Sequence, residues 1–288
     1  MPTPLVDVLR KASPWLADRG IESSRLDAEI LLAHGLGVRR IDLYLQHDRP
    51  LDDAELARLR ALVMERSKGV PVAYLTGARD FHALTFRVTK DVLVPRPETE
   101  ALVDVAVSAL AGIEAPVLSD VGTGSGCVIV SVLHAVPAAR GIALDVSTAA
   151  LAVARDNATR HGVADRLDLL EGDLLEPLRG DPRWGRLDAV VSNPPYIVRG
   201  DPTLDRHVAA HEPAVALYVP GSDPLAIVRR LASRAREALR PGGLLACEIG
   251  AGSGPAAKAL FEELGFAAVA VDPDGAGIPR VVRGRRPA

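Results

Sequence analysis

From residue 117 onward, short apolar runs bounded by turn residues alternate with stretches of helical periodicity, and that rhythm admits few folds. Strands joined by helices lie parallel, and a parallel sheet is covered by helices on both faces. The predicted strands span residues 117–121, 142–145, 167–170, 187–192, 244–249, 267–271 and 280–282. The clearest helix is predicted from Asp223, a suitable N-cap before Pro224 at the first helical position, to Leu239. Pro241, Gly242 and Gly243 mark its end.

Upstream the pattern is helical throughout. Leu5, Val8, Leu9 and Leu16 mark a first helix. Ser23 and Ser24 offer N-caps for a second, carrying Leu26, Ile30 and Ala33 and ending near Gly35 and Gly37. Asp52 and Glu55 have capping-box spacing before a third, with Leu56, Leu59 and Val63 along one face. Between Gly69 and Pro97 the character changes: Gly77, alternation over 81–88 and an apolar run at 92–94 predict a β-hairpin. At 288 residues there is room for a large α/β domain and a smaller attachment. The predicted division is 1–75 helical, 76–97 hairpin linker and 98–288 main domain.

Composition narrows the function classes. With 34 basic and 37 acidic residues, a net charge of -3 gives no global attraction to a phosphate backbone, so a direct nucleic-acid substrate is not expected. No apolar run approaches the ~18 residues of a membrane span, and a cytoplasmic protein with no membrane partner is expected. Cys127 and Cys247 stand alone in apolar sequence and are expected to be reduced core thiols. His207 and His211 are the one histidine pair at helical spacing, without the Glu of a zincin helix or a cluster of carboxylates, so no metal is expected.

The chemistry concentrates at the ends of predicted strands. The first runs into Gly122, Thr123, Gly124, Ser125 and Gly126 before a helix over 128–132. Such a turn brings backbone close to a ligand. Cys127 stands where the dinucleotide fingerprint has its third glycine, which weakens a nicotinamide-binding reading. Asp145 ends the second strand, where a carboxylate accepts from both hydroxyls of a ribose. Asp173 follows the third and is placed to accept from an adenine amino group. Together these acids predict an adenosine site.

The fourth strand ends in Asn193, Pro194, Pro195 and Tyr196. Both prolines lock their φ angles, and Pro195 restricts Pro194, so this corner cannot relax into a helix. The Asn193 side-chain oxygen and the Pro194 carbonyl offer two acceptors to one NH2 group, and Tyr196 offers a flat face to a planar guest. An amide nitrogen is a poor nucleophile because its lone pair is delocalised. Accepting both its hydrogens orients it and stabilises positive charge developing on it during attack on a sulfonium methyl group. No strong general base is needed, in keeping with the lack of His or Lys in the motif. The catalytic candidates are therefore Asn193, Pro194 and Tyr196, with Pro195 beside them, and the expected cofactor is S-adenosyl-L-methionine.

Several further motifs extend this reading over nearly the whole chain. They are residues 25–32 (RLDAEILL), 71–77 (PVAYLTG) with Phe81, 94–100 (VPRPETE), 122–126 (GTGSG), 193–197 (NPPYI), Glu212-Pro213 and 241–243 (PGG). With them the chain resembles the release-factor glutamine methyltransferases, the HemK/PrmC family; the segment 95–100 joined to a helical N-terminal region discriminates most. The resemblance implies a class I methyltransferase: a Rossmann-like, mostly parallel sheet of seven strands, with a small N-terminal helical bundle and a linking hairpin. It implies N5-methylation of the glutamine in the Gly-Gly-Gln loop of peptide chain release factors, the helical domain engaging that protein. It further implies that Gly122–Gly126, Asp145 and Asn193 contact the cofactor, that Leu174 after Asp173 lines the adenine pocket, and that Asn193 to Tyr196 surround the glutamine. Residues 95–99 wall the site or, alternatively, Arg96 and Glu98 pair locally. Competing readings are an amino-methyltransferase for a nucleobase or a ribosomal-protein glutamine, a non-catalytic scaffold, and a nicotinamide oxidoreductase.

Overall fold

The computed structural model describes residues 3–288, and Met1 and Pro2 lie outside the described residues. It divides into two units, the first running to Ala78 and including Asp205–His211. Its main helices are α1 (Leu5–Ala17), α2 (Ser24–Leu36), α3 (Asp53–Ser67) and α4 (Val72–Thr76). The capping box of α3 is complete: Asp52 Oδ1 accepts the Glu55 N–H at 2.7 Å, and Glu55 Oε2 accepts the Asp52 N–H at 3.1 Å. Helix α2 stops where Gly37 turns left-handed at φ 67°. Leu5, Leu16, Ala28, Leu32 and Leu59 meet in the core of this unit.

The buried face of α2 differs from the predicted one. Leu26 is 44% exposed, whereas Asp27 and Glu29 are buried beside Ala28, Leu31 and Leu32. Both acids are paired, Asp27 with Arg66 at 2.7 Å and Glu29 with Arg25 at 3.2 Å and Arg40 at 3.0 Å. A paired charge can occupy a core-facing position that apolar periodicity assigns to solvent. The distant segment Asp205–His211 also packs into this unit. A Cβ on Gly69 would stand 1.9 Å from His207 Nδ1, and His211 Nε2 lies 3.1 Å from the Lys68 carbonyl oxygen.

The second unit opens on a hairpin of β1 (Ala78–Phe81) and β2 (Leu84–Arg87). Its two turn residues, His82 at φ 47° and Ala83 at φ 62°, are both left-handed, matching the strand twist without the usual Gly or Asn. The turn is tied down by the His82 N–H, which donates to Glu100 Oε1 at 3.0 Å. Left-handed backbone costs an ordinary residue about 1–2 kcal/mol, partly offset by the greater unfolded freedom of glycine. Ala83→Gly is therefore expected to stabilise the protein by roughly 1 kcal/mol in urea unfolding; a loss of stability would contradict strain at this turn.

Helix α5 (Glu100–Leu110) leads into the sheet. There follow β3 (Val117–Val121), α6 (Cys127–Ala135), β4 (Arg140–Asp145), α7 (Thr148–Arg160), β5 (Leu167–Glu171) and β6 (Leu187–Ser192). The last elements are α8 (Ala226–Ala238), β7 (Leu239–Glu248), α9 (Gly254–Glu263), β8 (Ala267–Pro273) and β9 (Pro279–Arg285). Seven strands lie in the order β8-β9-β7-β6-β3-β4-β5. Strands β3 to β7 run parallel, and β9 runs antiparallel to both β7 and β8. One face buries Leu102, Val103, Ile129 and Leu133, the other Val228, Leu231, Ala235 and Phe261.

Several boundaries differ from the prediction, two of them for a visible cause. Helix α8 starts at Ala226, because Asp223 Oδ1 accepts the Leu225 N–H at 2.9 Å and holds Asp223 and Pro224 in a turn before the helix. Strand β7 starts at Leu239, and its register against β6 jumps between Leu239 and Leu244, so Pro241 to Gly243 form a bulge. Gly243 is required there, since a Cβ would stand 2.9 Å from the carbonyl oxygens of Arg240 and Leu187. Among the described residues no helix is long and apolar enough to cross a membrane. The chain leaves β3 toward β4 on one side, and β6 joins on the other. That reversal opens a crevice at the carboxyl ends of the central strands.

Candidate active site

A cavity of about 300 Å³ occupies this crevice, lined by residues of the glycine turn, by Asp145, Asp173 and Leu174, and by Asn193, Pro194 and Pro195. Gly122, Gly124 and Gly126 all have positive φ, at 71°, 55° and 78°. A Cβ on Gly122 or Gly124 would meet no protein atom within 4 Å, so both glycines leave room open. At Gly126 it would stand 3.1 Å from the Ala154 Cβ, which requires glycine for packing of the turn onto α7.

The turn's amides face inward. Leu144 O accepts from Gly122 N–H at 2.8 Å and Thr123 N–H at 3.0 Å, and Asp145 Oδ2 accepts from Gly124 N–H at 2.9 Å. Asp145 Oδ1 accepts from Ser147 N–H at 2.9 Å, and burial raises this carboxyl's pKa against those bonds. Thr123 and Ser125 are buried within the turn. Asp173 also pairs with Arg230, and Leu174 takes a left-handed φ of 52°.

At the end of β6, Ser192 Oγ donates to Val121 O at 2.6 Å, tying the strand to β3. Asn193 Nδ2 donates to Thr99 Oγ1 at 3.1 Å, which sets the amide's orientation and leaves Oδ1 as an acceptor. Tyr196 stands outside the cavity lining: its ring packs on Gly250, where a Cβ would lie 3.2 Å from Tyr196 Cδ2. Burial, with the Glu248 carboxyl nearby, pushes its hydroxyl up to about 12. Beyond it, Ile197 N–H donates to Leu217 O at 3.0 Å and Val219 N–H to Ile197 O at 2.9 Å. That pairing brings Val215, Ala216 and Tyr218 into the lining, with the Arg199 guanidinium 4.5 Å from the Tyr218 ring centre.

Three contributors escaped the sequence reading, Asp120, Tyr218 and Glu248, and the expected wall residue Thr99 makes a contact with Asn193 that was not foreseen. Asp120 is buried, accepts from Thr123 Oγ1 at 2.7 Å, and has its pKa raised by burial to about 7. Glu248 is buried beside Thr99 and Tyr196, and burial raises it likewise to about 7. Arg96 pairs with Glu212 rather than Glu98, and Glu212 Oε2 also accepts the Val94 N–H at 3.0 Å, so 94–96 is held as a wall. Cys127 and Cys247 are both buried free thiols, and burial pushes Cys127 up to about 12, far from a reactive thiolate.

Comparison with known proteins agrees with this architecture. Residues 7–77 match the family of the PrmC N-terminal domain. Residues 98–190 match the precorrin methyltransferase domain, a match that stops short of Asn193 and so speaks for the glycine-turn half alone. The catalytic domain of hMettl16, solved with an RNA hairpin, superposes with a TM-score of 0.53 at 15% identity, covering 81% of each chain. At that identity the likeness concerns the fold, a class I methyltransferase sheet. The release factor glutamine methyltransferase of Geobacter sulfurreducens is 40% identical over 287 residues, 98% of each chain. That of Cereibacter sphaeroides is 44% identical over 283 residues, again 98% of each. With likeness of this degree along its whole length, the chain belongs to the release factor glutamine methyltransferase family.

Proposed function

We propose that the chain transfers a methyl group from S-adenosylmethionine to the side-chain nitrogen, N5, of the glutamine in the Gly-Gly-Gln loop of peptide chain release factors. The observation that carries the proposal is the Asn193 amide, whose Nδ2 is committed to Thr99 while Oδ1 remains an acceptor at the cavity wall. A second acceptor, the Pro194 carbonyl, is fixed by the double proline. Together they suit an incoming NH2 group and not an incoming carbonyl or phosphate.

The cavity also suits a cationic cofactor. Asp120, in its lining, is a buried carboxyl that forms no ion pair among the described residues; the one arginine in the lining, Arg96, is neutralised by Glu212. A pyrophosphate would find no free cation here, which disfavours a dinucleotide. In this reading Gly122 to Gly126, Asp145, Asp173, Leu174 and Asn193 hold the cofactor, Asp145 through its remaining lone pairs to the ribose. When bound, the cofactor supplies an electrophilic methyl group on a sulfonium that leaves as a neutral thioether.

The protein's part is positioning. Asn193 Oδ1 and the Pro194 carbonyl accept both hydrogens of the glutamine NH2, aiming its nitrogen at the methyl group and stabilising the positive charge that grows there. The nitrogen then loses one proton to water. Tyr196 supports the corner from behind, and the N-terminal helical unit engages the release factor. The test is incubation of the full chain with methyl-labelled S-adenosylmethionine and a release factor, with an oligonucleotide as control acceptor. Label is expected on the Gly-Gly-Gln peptide by mass spectrometry; label on the oligonucleotide alone would reverse the assignment.

A further inference from the structure

At the cavity wall, Thr99 and Asn193 form a polar cluster with Tyr196 and Glu248, which lie outside the lining. The Thr99 hydroxyl accepts from Asn193 Nδ2 at 3.1 Å and must place its own proton on another acceptor. Thr99 is 1% exposed, so water does not serve. Facing it is Glu248, at the end of β7. The β6–β7 register sets Cys247 against Ser192, so Asn193 follows beside Glu248, which is still paired with Val281 of β9. Neither Glu248 oxygen has a hydrogen-bond partner of good geometry, yet the hydroxyls of Thr99 and then Tyr196 lie near enough to oppose the effect of burial on its protonation. An orphaned carboxyl is a costly occupant of a position flanked by the buried Cys247 and Ile249.

We propose that Glu248 is a positioning residue for methyl transfer: its carboxylate accepts the Thr99 hydroxyl proton and thereby fixes Asn193 with Nδ2 held on the protein and Oδ1 free for the guest NH2. The inference rests on the function proposed above. Its logic is directional. An ionised Glu248 can only accept, so Thr99 must donate to it and accept from Asn193. A protonated Glu248 donates to Thr99, whose hydroxyl then turns onto Asn193 and draws Oδ1 toward itself. The NH2 of Asn193 would then confront the NH2 of the substrate, and no transfer geometry results.

Protonation of Glu248 falls within a working pH range. Burial raises it to about 7; Thr99 and Tyr196 lower it, Glu98 raises it and Arg280 lowers it, and the buried Cys127 thiol is the other titratable neighbour. Asp120, in the cavity lining, titrates in the same range, so the test compares variants and not one profile.

The experiment measures kcat and KM of the full chain with S-adenosylmethionine and a release factor from pH 6 to 8, together with the exchange of the Asn193 side-chain amide protons by 15N NMR. Wild type is expected to lose about tenfold in kcat from pH 8 to pH 6, with KM little changed. Glu248→Gln, which stays neutral throughout, is expected to lose most of that pH dependence. Glu248→Leu is expected to lose roughly a hundredfold in kcat and to speed Asn193 amide exchange. Thr99→Val is expected to match it, and stands in for Glu248→Leu should that variant not fold. Full activity and unchanged exchange in Glu248→Leu or Thr99→Val would overturn the proposal. A wild type without activity on any release factor would refute the function instead, while the exchange measurement would still report whether Glu248 holds the amide.

Discussion

Asn193→Ala is expected to slow methyl transfer roughly a hundred- to a thousandfold while S-adenosylmethionine still binds. Losing a hydrogen bond to the developing cation costs about 1–3 kcal/mol, worth about ten- to a hundredfold in rate. Freeing the glutamine amide to drift by an ångström can cost a comparable factor. The glycine turn and Asp145 are untouched by the change, because Gly122, Gly124 and Asp145 are held by bonds to one another's strands and not to Asn193. Calorimetric titration with the cofactor and initial rates with a release factor separate the two effects. Turnover near the wild-type rate would remove Asn193 from the mechanism.

Asp120→Asn is expected to act on stability, and only at the alkaline end. The Asp120 carboxyl has its folded-state pKa raised by burial from 3.8 to about 7. Below 3.8 it is protonated folded or unfolded and costs nothing; as pH rises to about 7 the unfolded chain ionises while the folded one resists, and stability is lost. At about 1.4 kcal/mol per pH unit that gap amounts to about 4 kcal/mol. The asparagine variant escapes the loss, so its advantage in urea unfolding should be small at pH 4 and several kcal/mol at pH 8. An advantage independent of pH would mean that the carboxyl ionises freely in the fold. The same substitution is expected to weaken cofactor binding, since it removes a negative charge from a cavity suited to a cation. Stability and function pull apart at this residue.

How far the sequence foretold this depended on whether a signal was local. Residues 117–121 and 187–192 were legible to the residue, because strands buried on both faces read as unbroken apolar runs between turns. The capping box at Asp52 and the glycine turn are local too, and both formed. The Asn193 corner was legible because two prolines dictate its backbone. What sets the Asn193 amide's orientation was not: Thr99 lies 94 positions away and is joined to it only by the fold. Glu248 falls inside the predicted strand 244–249, and nothing along the chain says that Thr99 and Tyr196 meet it there. The face of α2 was misread because partners that permit burial of Asp27 and Glu29 come from beyond the helix, Arg66 on α3 and Arg40 in the turn after α2. Segment 205–211 gave no hint that it belongs with the N-terminal unit, since that association is tertiary.

Strand β9 is made late yet lies inside the sheet, and β8 has no other neighbour. During synthesis the parallel core can form as soon as β7 has emerged, but β8 must wait with both backbone edges bare until residues 279–285 arrive. A nascent chain halted between the two strands therefore offers β7 and β8 as open templates at once. In the cell, the interval between making one hairpin strand and the other is when this fold is most exposed to mispairing.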